Sequence, residues 1–289
     1  MGGMVRTRLR LAQLNAERVA PDGPAVGLPL VLVHGLGGGI WGWENFQVWL
    51  AEHGRTSIAL ELPFHGSSRD QAVGDYSVET YALFVAAAVA PLAPCFVLGH
   101  SMGGLIAQKL CESMPQAGYI FLASAPPWHM FRRAYLRMWG YALRHPIRDI
   151  VDGLLHRPMA LDHAMSDALI YNRLTAEERR RVYELDTPDS GRATKEMAFG
   201  QVRVDERQFS SPCLVVGCLA DGLIPASEQQ AMASRFGCEL RLYDRGHMLQ
   251  IEAGWEEVVA GLASWMEGIE ATRNDAAGRA LQLERMGAE

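Results

Sequence analysis

The reading turns on the run Cys95-Phe96-Val97-Leu98-Gly99-His100-Ser101-Met102-Gly103-Gly104-Leu105-Ile106-Ala107-Gln108-Lys109-Leu110-Cys111. Its first four residues are apolar and suit a buried strand, and residues 105–111 suit a helix. Between them lies G-x-S-x-G, the nucleophile-elbow pattern, in which a sharp turn lifts a serine hydroxyl above a sheet. A Cβ two residues before or after the serine would crowd a backbone that turns so tightly, hence the glycines. The five-residue pattern alone is common. Its meaning depends on the flanking strand and helix, and on partners elsewhere in the chain.

Working outward, the preceding sequence supplies alternating strands and helices. Residues 6–14 alternate roughly between polar and apolar, as a half-exposed antiparallel strand would, and Pro21-Asp22-Gly23-Pro24 signals a turn. Leu28-Pro29-Leu30-Val31-Leu32-Val33 is continuously apolar, the mark of a strand covered on both faces. It runs into His34-Gly35-Leu36-Gly37-Gly38-Gly39. A helix over 41–50, a strand over 56–60, the loop Glu61-Leu62-Pro63-Phe64-His65-Gly66-Ser67-Ser68 and a helix over 78–90 follow. After the elbow, 119–123 reads as a further strand. The alternation predicts an α/β protein with a mostly parallel sheet and helices on both faces.

From Pro126-Pro127 the texture changes. Residues 126–207 hold little that reads as a buried strand and several helical stretches, over 131–143, 147–155 and 175–185, the last opened by the capping-box pattern Thr175-Ala176-Glu177-Glu178. Its basic and acidic residues nearly balance, so it reads as a helical insertion with solvated faces. Strand texture returns over 213–219, running into Ala220-Asp221-Gly222-Leu223-Ile224-Pro225. A helix over 227–236, a strand over 239–243, Gly246-His247-Met248 and a helix over 255–267 follow. The expected organisation is a core of 1–125 and 208–268, a helical cap over 126–207, and a C-terminal helix or tail over 269–289.

Composition narrows the classes. The 289 residues are 49% hydrophobic and 21% charged, with a net charge of −6, which speaks against a nucleic-acid partner. The five cysteines are odd in number and lack C-x-x-C spacing, so they read as core side chains in a reducing compartment. No run approaches the ~18 apolar residues of a membrane span, and the basic start lacks an apolar segment of signal length. A cytoplasmic protein, monomer or homodimer, is the expectation.

A serine hydroxyl needs a base, and the base an orienting acid. Sites on open α/β sheets form beyond the carboxyl ends of the strands. Asp221 follows one late strand and His247 the next, at gaps of 120 (221 − 101) and 26 (247 − 221) from Ser101 onward. Taken singly, Asp221-Gly222 is a turn signal, and a lone histidine is ordinary. Asp244 precedes His247 within one loop and reads as a turn residue. The order Ser101, Asp221, His247 resembles that of the α/β-hydrolase triad, and over roughly residues 5–268 the sequence is similar to an α/β-hydrolase with a helical cap.

That resemblance implies Ser101 as nucleophile, His247 as general base and Asp221 as the acid that orients it. The family's alternative acid position falls on Ser124-Ala125-Pro126-Pro127, which offers no carboxylate. It also implies an oxyanion hole from the backbone N–H groups of Leu36 and Met102. Glu61 to Ser68 resembles the family's D-L-P-G-H-G-x-S loop, with Glu for Asp and Phe64 for Gly. Gly35, His34, Trp128, Met130, Phe131, Leu223 and Met248 are the expected substrate contacts, and they suggest an apolar acyl or alcohol group. His34 and His65 occupy neighbouring loops without a metal-site spacing, and neither a metal nor an organic cofactor is expected. The expected reaction is hydrolysis of a small-molecule carboxylic ester through an acyl-enzyme. Lactones (including acyl-homoserine lactones), thioesters and C–C bonds are alternative substrates, and a ligand receptor on the same fold is the alternative class.

Overall fold

Among the described residues eight strands make one sheet: β1 (Met4–Leu11), β2 (Leu14–Pro21), β3 (Leu30–Val33), β4 (Ser57–Glu61), β5 (Phe96–His100), β6 (Gly118–Leu122), β7 (Cys213–Cys218) and β8 (Glu239–Tyr243). The structure is a computed structural model. It describes residues 3–66, 75–130, 155, 157–160 and 162–286. The sheet order is β1-β2-β4-β3-β5-β6-β7-β8. β1 and β2 pair antiparallel, as do β2 and β4, and every later pair from β3–β4 to β7–β8 is parallel.

The central strands are buried on both faces, and their period of two divides the core in half. Val31, Val33, Val97, Phe121 and Val215 face one layer, packed with residues of α2 (Val78–Val89), α3 (Met102–Cys111) and, further along the chain, a helix at Ala226–Phe236. Leu30, Leu32, Phe96, Leu98, Ile120, Leu122, Leu214 and Val216 face the other. There they meet Phe46 and Leu50 of α1 (Glu44–Glu52) and Val258, Leu262 and Met266 of the C-terminal helix. Each such buried side chain contributes about 1.5–3 kcal/mol relative to exposure. This sandwich aligns the carboxyl ends of β3, β5, β7 and β8 along one rim.

The amino-terminal reading needs correction. Residues 6–14 are not one strand: the chain reverses at Ala12-Gln13, and β2 continues to Pro21. The turn is hidden in sequence because Ala12, not a glycine or asparagine, takes the left-handed conformation (φ 51°). Edge strand β1 carries exposed Arg6, Arg8 and Arg10, charges that discourage pairing with another chain.

Between β6 and β7 the described helices are α4 (His163–Leu169), α5 (Ala176–Leu185) and α6 (Gly191–Ala198). The Thr175–Glu178 capping box forms at the start of α5. The helical stretches expected over 131–143 and 147–155 lie outside the described residues, apart from Leu155. The helix Ala226–Phe236 is α7, and α8 runs without interruption over Trp255–Met286. The helix expected over 255–267 and the described part of the helix or tail expected over 269–289 form this one element. Glu270, beyond Glu267, takes two 2.9 Å hydrogen bonds from the buried Arg55 guanidinium and one from Leu28 N (2.7 Å). All five cysteines are free thiols, and Cys95, Cys111 and Cys218 are buried. Among the described residues no helix is long and apolar enough to cross a membrane.

Candidate active site

Ser101 sits between the last residue of β5 and the first of α3, with φ 54° and ψ −116°. Such a conformation is costly for a residue with a Cβ and persists only where the surroundings impose it. They do so here. A methyl on Gly99 would collide with the Gly103 carbonyl, so strand and helix meet at a distance only glycine permits. Ser101 N donates to Leu122 O (3.1 Å), and Ser101 O accepts from Ala125 N (3.0 Å), tying the turn to the end of β6.

The loop after β3 closes on the same point. A Cβ built on Gly35 would stand 2.9 Å from Ser101 Cβ, so glycine lets the loop lie against the serine. Leu36 follows, its amide without an acceptor among the described residues. So is that of Met102, which opens α3 and has no helical partner for its N–H. The Leu36 and Met102 amides thus belong to the two elements that meet at Ser101.

His247 and Asp221 come together as the chain order implied. His247 Nδ1 lies 2.8 Å from Asp221 Oδ2, and both residues are buried. The other carboxylate oxygen, Oδ1, accepts from Leu223 N and Ile224 N, each at 2.8 Å. Asp221 is thereby fixed as an acceptor, which places the proton of the neutral ring on Nδ1 and frees Nε2 as the basic nitrogen. Among the described residues no hydrogen bond joins Ser101 Oγ to His247.

Two side chains that hold His247 were not identified from sequence. His100, the variable residue of the elbow, donates from Nε2 to His247 O (2.9 Å), and the two rings lie 4.9 Å apart. Burial, then the neighbouring His247, pushes the His100 pKa down to about 3, so the ring is neutral. Glu252 spans the histidine: it accepts from Gly246 N (2.6 Å) and Met248 N (3.1 Å). Burial raises its pKa above the usual carboxylate value. The signal for His100 was present, since the last residue of the strand before a strained serine must point into the protein. Glu252 left none, as four residues of loop separate it from His247.

The expected substrate contacts divide. Leu223 and Met248 pack with Ile170, Tyr171, Leu174 and Val182 of the insertion, and with Trp41. Trp128 is half exposed, 5.6 Å beneath the Arg203 guanidinium, and Met130 packs into the core layer of α2 and α3. Phe131 lies outside the described residues. The expectation for the His34 side chain is corrected. Its ring is buried, Nδ1 donates to Gly35 O (2.8 Å) and Nε2 accepts from Leu62 N (3.0 Å), so both nitrogens are spent on the loop. Burial, followed by the nearby His65, lowers its pKa to about 3. Among the described residues no group of three His, Cys, Asp or Glu side chains is arranged to hold a metal.

Sheet order, elbow and the acid–histidine pair at the strand ends are those of an α/β-hydrolase. Residues 30–261 match the model of the alpha/beta hydrolase family, and the chain belongs to that family. It is 32% identical over 239 residues to the dihydrolipoyllysine-residue acetyltransferase component of the acetoin cleaving system of Pseudomonas putida, covering 78% of this chain and 60% of that protein. The chain therefore spans under two thirds of that relative's length. It is 27% identical over 221 residues to the pimeloyl-[acyl-carrier protein] methyl ester esterase of Aeromonas salmonicida, covering 73% of this chain and 84% of that protein. Among solved structures it superposes on an esterase from Thermogutta terrifontis with TM-score 0.65 at 20% identity, covering 92% and 99% of the two chains.

Proposed function

We propose that this chain is a serine hydrolase that cleaves a carboxylic ester of a small, apolar substrate through an acyl-enzyme. The observation that carries the reading is the buried 2.8 Å hydrogen bond from His247 Nδ1 to Asp221. It leaves Nε2 as the one basic ring nitrogen, in a loop anchored to the residue next to Ser101. In this reading Ser101 Oγ attacks the carbonyl carbon while His247 Nε2 takes its proton, and Asp221 stabilises the imidazolium. The Leu36 and Met102 amides receive the developing oxyanion, each worth roughly 3–4 kcal/mol in the transition state. His247 then protonates the leaving alcohol, and a water deprotonated by the same nitrogen hydrolyses the ester of Ser101. The serine–histidine contact closes with substrate, as catalytic hydrogen bonds commonly tighten in the Michaelis complex.

Residues 126–207 act as the cap in this reading. The apolar cluster of Leu223 and Met248 with Ile170 and Val182 favours an apolar acyl group. The esterase named among the relatives is in keeping with this chemistry. The test is a panel of p-nitrophenyl esters of varied chain length, lactones and thioesters, with fluorophosphonate labelling followed by mass spectrometry. Turnover of oxygen esters and a label on Ser101, both abolished in Ser101→Ala, are expected. Undiminished turnover in Ser101→Ala, or no label on the wild type, would overturn the reading; preference for a lactone or thioester would revise its substrate.

A further inference from the structure

A second aspartate–histidine pair lies behind the oxyanion loop, and the mechanism above does not use it. Asp189, between α5 and α6, is fully buried and receives four hydrogen bonds. Oδ2 accepts from Gly37 N (3.0 Å) and His65 Nε2 (2.9 Å). Oδ1 accepts from Tyr81 OH (3.0 Å) and Ser190 N (2.6 Å). The Asp189 backbone is fixed in turn by two 2.8 Å bonds exchanged with Met159. Two residues earlier, Thr187 N donates to Gly37 O (3.0 Å). Both polar groups of Gly37 are therefore held by 187–189, and Gly37 takes the left-handed conformation (φ 70°). The residue next to it is Leu36. Rotation of the peptides around Gly37 would re-aim the Leu36 N–H.

We propose that Asp189 is a positioning residue for the oxyanion hole, holding the Leu36 amide in register through Gly37, and that it does so as a buried ion pair with His65. The proposal rests on the serine-hydrolase reading. The charge on His65 follows from geometry: its Nδ1 faces Pro63 O (3.0 Å) and its Nε2 faces Asp189, so both nitrogens meet acceptors and both carry protons. The groups facing the ring agree. Glu61 and Asp189 favour the cation, Tyr81 donates to the same carboxylate, and His34, at 4.9 Å between ring centroids, is neutral because Nε2 accepts from Leu62 N. Burial opposes the charge on His65, but Asp189 outweighs it and the pKa is raised. A neutral hydrogen bond would hold Gly37 less firmly, since bonds to ionised acceptors are roughly twice as strong.

Asp189→Asn tests this. The side-chain amide brings N–H groups against one of two pairs of donors, Gly37 N with His65 or Tyr81 with Ser190, so the latch to Gly37 is lost or distorted. The measurements are kcat and KM on the best ester, inhibition by a trifluoromethyl ketone, fluorophosphonate labelling and the melting temperature. The ketone reports the oxyanion hole because Ser101 Oγ adds to its carbonyl carbon, His247 takes the serine proton, and the former carbonyl oxygen becomes an oxyanion. The expected result is a loss in kcat on the order of 10- to 100-fold, short of the 10²–10³ for deleting a donor outright, with a parallel weakening of the ketone. KM stays within about threefold, and Ser101 remains labelled, more slowly. His65→Gln, which keeps a neutral donor near Nε2, keeps the variant testable if Asp189→Asn does not fold: it shows a smaller loss in kcat and in ketone affinity. A folded Asp189→Asn with kcat and ketone affinity within twofold of wild type overturns the proposal, as does a His65→Gln indistinguishable from wild type in both. Absence of a label on wild-type Ser101 marks failure of the hydrolase reading itself, and the proposal falls with it.

Discussion

Replacing Asp221 by asparagine tests whether the acid acts through the histidine tautomer. Oδ1 faces two backbone N–H groups at 2.8 Å, so the asparagine must keep its carbonyl oxygen there; the reverse orientation would set its own N–H groups against two donors. The NH₂ group then faces His247 Nδ1, which carries the proton when Asp221 is present. To accept from the amide the ring must move that proton to Nε2, the nitrogen that should receive the proton of Ser101. The number of hydrogen bonds is conserved and no cavity opens, so stability should change by only about 1 kcal/mol and the melting temperature by about 2–4 °C. Catalysis should fall far more, by ~10⁴ in kcat or about 5.4 kcal/mol at 1.36 kcal/mol per decade. The assay is kcat and kcat/KM on the best ester, with a thermal melt of the same preparation and labelling of Ser101 by a fluorophosphonate. A folded Asp221→Asn retaining more than a tenth of wild-type kcat would refute the reasoning, since the base would then not depend on this carboxylate.

Three further outcomes concern stability. Truncation after Gly268 removes Glu270 and strands the Arg55 guanidinium, whose side chain is only 5% exposed; because Glu270 borders solvent, the cost sits at the low end for a broken buried pair, about 3 kcal/mol. Truncation after Asn274 retains Glu270 and should cost far less, as thermal melts of the two would show; equal melting temperatures would contradict the role of the pair. Gly99→Ala, which drives a methyl into the Gly103 carbonyl, should cost more than ~3 kcal/mol or abolish soluble expression, whereas Gly268→Ala, in open space within α8, should be neutral or slightly stabilising. The Asp189–His65 pair should shape stability against pH from both sides. The pKa of Asp189 is held below 3.8: burial opposes this, but the His65 charge and the hydrogen bonds from His65, Gly37 N and Ser190 N prevail. Its contribution is therefore present above 3.8 and lost as pH falls toward the depressed value. His65 is raised above 6.5, so its contribution is complete below 6.5 and lost as pH climbs through the raised value. Urea midpoints measured across pH should show both flanks in wild type and a flatter profile in Asp189→Asn; superimposable profiles would count against the ion pair.

Sequence revealed what local pattern controls. β3, β5, β6 and β7 are continuous apolar runs because both faces are covered, and that signal needs no knowledge of neighbours. Ser101, Asp221 and His247 were legible because each follows a strand, and strand ends share one rim in a parallel sheet. β2 was missed because its turn rests on Ala12 at positive φ, where composition gives no warning. The stretch beyond Glu267 stayed open between helix and tail because it is polar, while the residue that ties it down, Glu270, bonds to Arg55, 215 positions away. Asp189 was invisible for the same reason: Thr-Pro-Asp-Ser reads as an ordinary helix entrance, and three of its four donors come from Gly37, His65 and Tyr81.

Those distant contacts change how residues 126–207 should be understood. A cap that only walls a pocket would influence which substrate binds and leave the reacting groups alone. Here residues 168–189 reach each loop that carries a group of the proposed reaction. Asp189 and Thr187 grip Gly37 beside Leu36. Asn172 Nδ2 donates to Ala220 O (2.8 Å), next to Asp221, and a Cβ on Gly222 would meet Ala168 O and Leu169 Cα at 2.8 Å. The Asn172 side chain also packs against Gly246, next to His247. The loops beside Leu36, Asp221 and His247, to which the proposed reaction assigns oxyanion donor, acid and base, are thus braced by one segment to which none of the three belongs. Substitutions at Asn172, Thr187 or Asp189 should therefore register first in kcat, through the geometry of groups they do not themselves provide, whereas Ile170 and Val182, which face Leu223 and Met248, should register in KM and chain-length preference.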